Sequence, residues 1–212
     1  PITASDSLTI SLWVNTNSQN ASQQALINSS PAGCYYNPRI YIQNGIVHAY
    51  SYVYNPSGQV EMIDLSSNLN IADGNWHHVA MALDKDAKTI SIYVDGTLKN
   101  YGSIPNGYWI KELGTITIGC MLNGGCQSCN YYSGNIDEVL MFNRALVPGE
   151  ISSLYDSTSN QYSNVFTGLA PGAHTFMAFA VDIYGNTSQT ENRSITVNKP
   201  TSVTGITWSL YP

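Results

Sequence analysis

Carboxylates, imidazoles and thiols are the side chains with which this chain could do chemistry, and their spacing limits what they can do. Glu61, Glu112, Glu138, Glu150 and Glu191 are scattered singly. Asp137 and Glu138 are adjacent, so on a strand they point to opposite faces and cannot act together on one substrate. The same geometry separates His77 from His78 and prevents their chelating one metal, while His48 and His174 are isolated. No Gly-x-Ser-x-Gly occurs, and in so Ser-rich a chain no Ser/His/Asp set stands out. These patterns predict no catalytic residue, no metal site and no cofactor.

The thiols carry more information. Cys34, Cys120, Cys126 and Cys129 make an even count. Asn20, Asn28, Asn186 and Asn192 each begin an Asn-x-Ser/Thr sequon, the acceptor for N-glycosylation. Together these favour an oxidising, extracellular compartment and disulfides. Four cysteines allow three connectivities, and spacing does not choose among them. The rival is a four-thiolate zinc site, because Cys126-Gln-Ser-Cys129 has ligand spacing.

A third constellation is aromatic. In the stretch Ile46 to Tyr54, His48, Tyr50, Tyr52 and Tyr54 share one face of a strand, and Val47, Ala49, Ser51 and Val53 the other. Tyr41 joins the first set across the Asn44-Gly45 turn if the hairpin register is regular. Such a row can stack on sugar rings, dock a protein partner, or simply pack in a core.

The elements that position these groups read as strands. Leu8, Ile10, Leu12 and Val14 alternate with Thr9, Ser11 and Trp13. Further strands are expected at Ala25 to Ile27, Ile40 to Gln43, Ile46 to Tyr54, Val60 to Leu65, around Ile116 and Ile118, and at Ile136 to Phe142. The central pair is carried by Asp73 to Leu98, where Val79, Met81 and Leu83 alternate with Ala80 and Ala82, and Ile90, Ile92 and Val94 follow after a polar turn. Pro148-Gly149-Glu150 opens a short helix with Ile151, Leu154 and Tyr155 on one stripe.

The order Trp-His-His-Val-Ala, turn, Ile-Tyr-Val-Asp-Gly, followed by SGNIDEVLMFNRALVPGEISSLY from Ser133, resembles the concanavalin A-like jelly rolls of the laminin G and pentraxin families. The resemblance covers Leu8 to Tyr155 and implies an all-β, two-sheet antiparallel sandwich over residues 1–156. It does not fix a function, because the fold hosts lectins, glycosidases and adhesion modules. The glycosidases of this fold carry Glu-x-Asp-x-x-Glu on one strand, a run absent here. Pentraxins hold calcium in loops that match 28–37 and 121–132, and neither stretch contains Asp or Glu. Both carry cysteines instead, so the resemblance implies bridges where relatives place the metal. Cys34 is then expected to pair with one of the later group, and the remaining two with each other.

Residues 157–199 resemble the last three strands of an immunoglobulin-like or fibronectin-III-like module, through Asn164-Val-Phe-Thr-Gly, LAPGAHTFMAFAVDIYGNTSQ and Arg193-Ser-Ile-Thr-Val. Residues 200–212 add a strand-like Ile206-Thr-Trp208-Ser-Leu210 with no evident place in that remnant. The related jelly rolls carry one more strand ahead of Leu8. A strand missing at one end and spare at the other suggests self-association by strand donation. A window cut from a longer surface protein explains both equally well, with Pro1 as the start of a fragment or a mature terminus.

With charged residues at 10% and a net charge of −6, nucleic acid is excluded as a partner, since it demands basic clusters. No apolar run reaches the roughly 18 residues of a membrane span. The expectation is therefore a non-enzymatic structural or adhesive module at the cell surface, resembling those of prokaryotic and especially archaeal surface proteins. Its partners would be copies of itself or other surface proteins; the alternative is a lectin using the tyrosine face to bind glycan.

Overall fold

The computed structural model describes residues 7–30, 38–110, 113–120 and 131–159, then 164–166, 168–177, 179–181, 187–189, 191–198 and 206–208. Contacts divide the chain into two compact units, Pro1–Ser159 and Asn160–Pro212. In the first unit the strands are β1 (Leu8–Asn15), β2 (Gln24–Ser30), β3 (Arg39–Gln43), β4 (Ile46–Tyr54), β5 (Val60–Asn70), β6 (Trp76–Asp84), β7 (Thr89–Val94), β8 (Thr97–Ser103), β9 (Thr115–Ile118) and β10 (Asn135–Phe142), followed by helix α1 (Pro148–Ser159). They form two antiparallel sheets ordered β10-β1-β6-β7-β8 and β5-β4-β3-β2-β9. This is the two-sheet antiparallel sandwich that the family resemblance implies, built from strands that the alternating patterns predict.

The core lies between the sheets. Leu8, Ile10, Leu12 and Val14 of β1, Val79, Met81 and Leu83 of β6, and Ile90, Ile92 and Val94 of β7 meet Ile40, Ile42, Val47, Ala49 and Val53 of the opposing layer. Burying one such side chain fully contributes about 1.5–3 kcal/mol. Two tight turns set the register. At Asn44-Gly45 both residues have positive φ (50° and 75°), and the same holds at Asp95-Gly96 (51° and 69°). That backbone closes a two-residue hairpin with the twist of its strands. Gly45 has a second reason, since a Cβ there would lie 2.5 Å from Asn70 Oδ1.

Strand β8, TLKNYGS, is missed by sequence reading because its apolar residues do not alternate. It is an edge strand, where polar residues are the norm. On that side the edges of the two sheets meet: Asn100 Nδ2 donates to the Ser66 carbonyl at 3.0 Å. On β10 the strict alternation assumed for Asp137 and Glu138 fails, since Glu138 has φ of 47° and the pairing with β1 shifts beside it. A bulge of this kind re-aims side chains and blunts an edge.

Helix α1 explains the small residues of β6. Ala80, Ala82 and Tyr93 on the outer face of the first sheet are buried with Leu146 and Ile151. The Tyr155 ring stacks on Trp13 with centroids 5.7 Å apart. Glu150 starts the helix by accepting from the Val147 N–H at 3.0 Å and forming a bidentate pair with Arg144 at 2.7 and 2.8 Å. Beneath the Trp13–Tyr155 stack, His78 Nε2 lies 2.7 Å from Ser11 Oγ. Both residues are only 1% exposed, so this Ser–His contact is a buried structural one with no route for a substrate.

In the second unit β11 (Asn164–Phe166) pairs with β16 (Ile206–Trp208), β12 (Gly172–Phe176) with β15 (Arg193–Val197), and β13 (Phe179–Val181) with β14 (Thr187–Gln189). The strand that sequence left spare thus has a partner in its own chain: Ile206 faces Phe166 and Trp208 faces Asn164 in the ladder. Its backbone groups on that edge are satisfied within the chain, and Leu210 lies outside the described residues.

The two histidines of β6 respond to pH in opposite directions. Burial pushes His78 down to about 4, only partly countered by the Asp95 charge. Its contribution is present above the unfolded value of about 6.5 and is lost as pH falls toward 4. Burial would also lower His77, but the pairs with Asp95 at 2.8 Å and Asp73 at 3.2 Å outweigh it and raise the group. That contribution is present below about 6.5 and is lost as pH rises through the folded value. Replacing His78→Gln is expected to remove on the order of 3 kcal/mol of acid sensitivity between pH 7 and 4. Denaturant titrations of parent and variant across that range check it; equal losses in both would contradict the assignment.

Candidate functional site

The outer face of the β5-β4-β3-β2-β9 sheet gathers the aromatic and polar side chains that sequence singled out. Strand parity does this: with Ile40, Ile42, Val47 and Ala49 in the core, Arg39, Tyr41, His48 and Tyr50 must point the other way. The register is the regular one expected, with Tyr41 opposite His48 and Arg39 opposite Tyr50. Across the sheet, one row runs Asn28, Arg39, Tyr50, Asp64, and the next Ala25, Tyr41, His48, Ser66. Beyond these, Tyr52 faces Met62 and Tyr54 faces Val60.

Arg39 is the centre of this face. Its guanidinium carbon sits 4.7 Å from the centroid of the Tyr41 ring and 4.4 Å from that of Tyr50. Nη2 donates to Gln23 Oε1 at 3.0 Å. The Tyr41 ring stacks on His48 at 4.6 Å with 15° between planes, and the Tyr41 hydroxyl donates to Asp64 Oδ2 at 2.7 Å. His48 Nδ1 lies 3.1 Å from the other oxygen of Asp64. Burial alone would raise the Asp64 carboxyl, but the hydrogen bonds from His48 and Tyr41, with the charges of His48 and Arg39, hold it below the usual range. Asp64 is therefore a carboxylate over the whole physiological range. Burial, then the Asp64 hydrogen bond, keeps Tyr41 far above the ordinary phenol value, so it stays a donor.

Of the tyrosine set, two members are packed rather than open to solvent. Tyr41 is 1% and Tyr50 6% exposed, because the rings bury one another and Arg39, itself 3% exposed, lies against both. Tyr50 meets Tyr52 edge-on at 5.4 Å. Solvent reaches the β4–β5 strip, where His48, Tyr52 and Tyr54 are half-buried while Met62 and Val60 are exposed at 59% and 44%. The Tyr54 backbone is locked to Trp109 by reciprocal hydrogen bonds of 2.8 and 3.0 Å. Sequence reasoning missed Arg39, Met62 and Asp64. Pairing β4 with β5 through the same alternation would have found Asp64 opposite Tyr50.

Of the sequons, Asn28 has its side chain completely buried on this face, with neither amide atom hydrogen-bonded to protein. A glycan cannot be attached there in the folded chain, because the amide nitrogen has no access to a transferase. Asn20 and Asn192 are exposed, and Asn20 Oδ1 accepts from the Ser22 N–H at 2.8 Å. Asn186 lies outside the described residues, as do Cys34, Cys126 and Cys129. Cys120 is half-buried after β9, its backbone bridged to Tyr131 and its carbonyl accepting from Thr117 Oγ1 at 2.7 Å. Among the described residues no three His, Cys, Asp or Glu side chains come together in a metal-binding cluster, and no helix is long and apolar enough to cross a membrane.

The dependence of Asp64 on Tyr41 can be measured. Tyr41→Phe is expected to raise the Asp64 carboxyl value and to cost about 1 kcal/mol of stability, since a part-buried hydrogen bond to a charge is lost. A carboxyl-carbon NMR titration of parent and variant reads the first effect; an unchanged Asp64 midpoint would show that the hydroxyl does not control it.

Comparison with known proteins agrees with the sandwich fold. Human Pentraxin-4 is 31% identical over 88 residues, which is 40% of this chain and 18% of the human protein. Among solved structures, the CBM40 of the Ruminococcus gnavus IT-sialidase bound to α2,6-sialyllactose superposes with a TM-score of 0.57 at 19% identity, over 71% of this chain and 83% of that one. The binding domain of Paraclostridial Mosquitocidal Protein 1 gives 0.51 at 17% identity, over 89% of this chain and 49% of that one. The chain thus spans about half the length of that binding domain and less than a fifth of the human protein. The laminin G-type family described as the concanavalin A-like lectin/glucanases superfamily matches residues 1–152, and the chain belongs to it.

Proposed function

We propose that this domain is a non-enzymatic, extracellular carbohydrate-binding module, and that its ligand lies on the β4–β5 strip of the outer sheet face. The observation that carries the reading is the juxtaposition of a solvent-accessible carboxylate, Asp64, with the apolar Tyr52–Met62 pair one row away. A pyranose presents an apolar C–H face and a rim of hydroxyl donors. Tyr52 and Met62 offer the first a surface, and Asp64 accepts from the second in charge-assisted hydrogen bonds. The buried Arg39–Tyr41–Tyr50 layer beneath makes the strip rigid before any ligand arrives, which lowers the ordering cost of binding.

The described carboxylates favour binding over hydrolysis. Asp64 is tied to Tyr41 and His48, Asp73 and Asp95 to His77, and Glu150 to Arg144. None of these four forms the acid–carboxylate pair on which glycoside hydrolysis ordinarily depends, while Glu138, raised by burial and by the adjacent Asp137, lies at the bulge of edge strand β10 in the other sheet. The solved relatives support a recognition role, one being a sialidase CBM40 with bound sialyllactose and another a toxin binding domain. Adhesion at a cell surface would follow from such binding.

Tyr52→Ala is expected to weaken glycan binding at least tenfold, about 1.4 kcal/mol, while leaving the thermal midpoint close to that of the parent. Tyr101→Ala, on the exposed edge strand β8 of the other sheet, serves as control and is expected to change nothing. Calorimetric titration with a glycan selected on an array provides the measurement. Parent-like affinity in Tyr52→Ala would remove this strip as the site.

A further inference from the structure

We infer that this face selects uncharged glycans and rejects those ending in a carboxylate, in contrast to the sialyllactose held by its structural relative. The inference rests on the carbohydrate-binding reading above and concerns the class of sugar that the strip accepts.

An acidic sugar needs an accessible cation or a set of directed N–H donors to replace the water around its carboxylate. Strands β2, β3, β4, β5 and β9 contain one Lys or Arg between them, Arg39. It is 3% exposed, held between two tyrosine rings and bonded through Nη2 to Gln23, so its charge serves the interior of the face. What does reach solvent on this face is the Asp64 carboxylate, whose side chain is 30% exposed and whose ionised form the hydrogen bonds from His48 and Tyr41 favour.

An incoming carboxylate therefore meets like charge, with His48 already engaged by Asp64 through Nδ1 and no exposed Lys or Arg on these strands to offset it, and the net charge of −6 adds repulsion at longer range. A neutral sugar meets the opposite situation. Each Asp64 oxygen accepts one hydrogen bond from protein and retains a lone pair for a hydroxyl donor. The same group thus attracts one class and repels the other, so specificity comes from repulsion as well as attraction.

The test is an array of glycans in matched pairs, ending in galactose, N-acetylglucosamine, glucose or mannose, against the same cores capped with sialic or uronic acid. At least one neutral member is expected to bind, with its acidic counterpart at least tenfold weaker. Salt should narrow the gap by screening Asp64, and Asp64→Asn should narrow it further while weakening the neutral ligand. Equal or tighter binding of the acidic members would overturn the inference and leave the carbohydrate reading standing. Binding to no member of either class would remove that reading, and the inference with it.

Discussion

The register of the β3–β4 hairpin is the constraint from which the rest follows. Asn44 and Gly45 both take positive φ, and the two-residue turn they form aligns Ile40 with Ala49 and Tyr41 with His48. Because side chains alternate, this single alignment assigns the aliphatic residues to the core and the arginine, tyrosines and histidine to the outer face. A slip of one residue would exchange them, placing Arg39 among Leu26, Val47 and Ile92. Burial of an unpaired guanidinium would cost several kcal/mol, so core and site specify each other.

The two outer faces of the sandwich have been used differently. On the β10-β1-β6-β7-β8 sheet, small Ala80 and Ala82 let helix α1 pack closely, and the helix covers that face with Ile151, Leu154 and Tyr155. On the other sheet the same positional rule brings large polar rings and one guanidinium. They shield each other through cation–π contacts and the Tyr41–Asp64–His48 hydrogen bonds. The result is a stiff, mostly desolvated layer whose accessible part is the margin formed by β4 and β5. That margin carries the Asp64 carboxylate, while the Arg39 guanidinium is buried beside it against the Tyr41 and Tyr50 rings.

The two-residue period made most of the sandwich legible in the sequence: β1, β4, β6, β7 and the tyrosine set all follow from it, and Ile151, Leu154 and Tyr155 mark the helix. Strand β8 escaped because an edge strand with Lys99, Asn100 and Gly102 carries no apolar alternation. The depth of burial of Tyr41 and Tyr50 also escaped. Alternation says which face a side chain takes, while what covers that face depends on contacts between strands distant in sequence, here Arg39 lying across both rings. Asp64, 23 residues from Tyr41, became part of the site through the same long-range pairing. Asn28 read as a glycan acceptor on sequence, yet it sits in the Arg39 row with its side chain fully buried. The tail at Ile206–Trp208 reads as spare because the resemblance places its partner, Asn164–Phe166, among the strands of the immunoglobulin-like remnant, and alternation does not say which strands pair.

The central claim is that recognition occurs on the β4–β5 margin of the outer sheet face. Mapping amide chemical-shift changes during titration with a glycan that binds tests it most directly. The account predicts perturbations concentrated at residues 48–54 and 60–66, with those of β1, β6 and helix α1 unmoved. Shifts centred on the helix-covered face, or on the second unit, would contradict it.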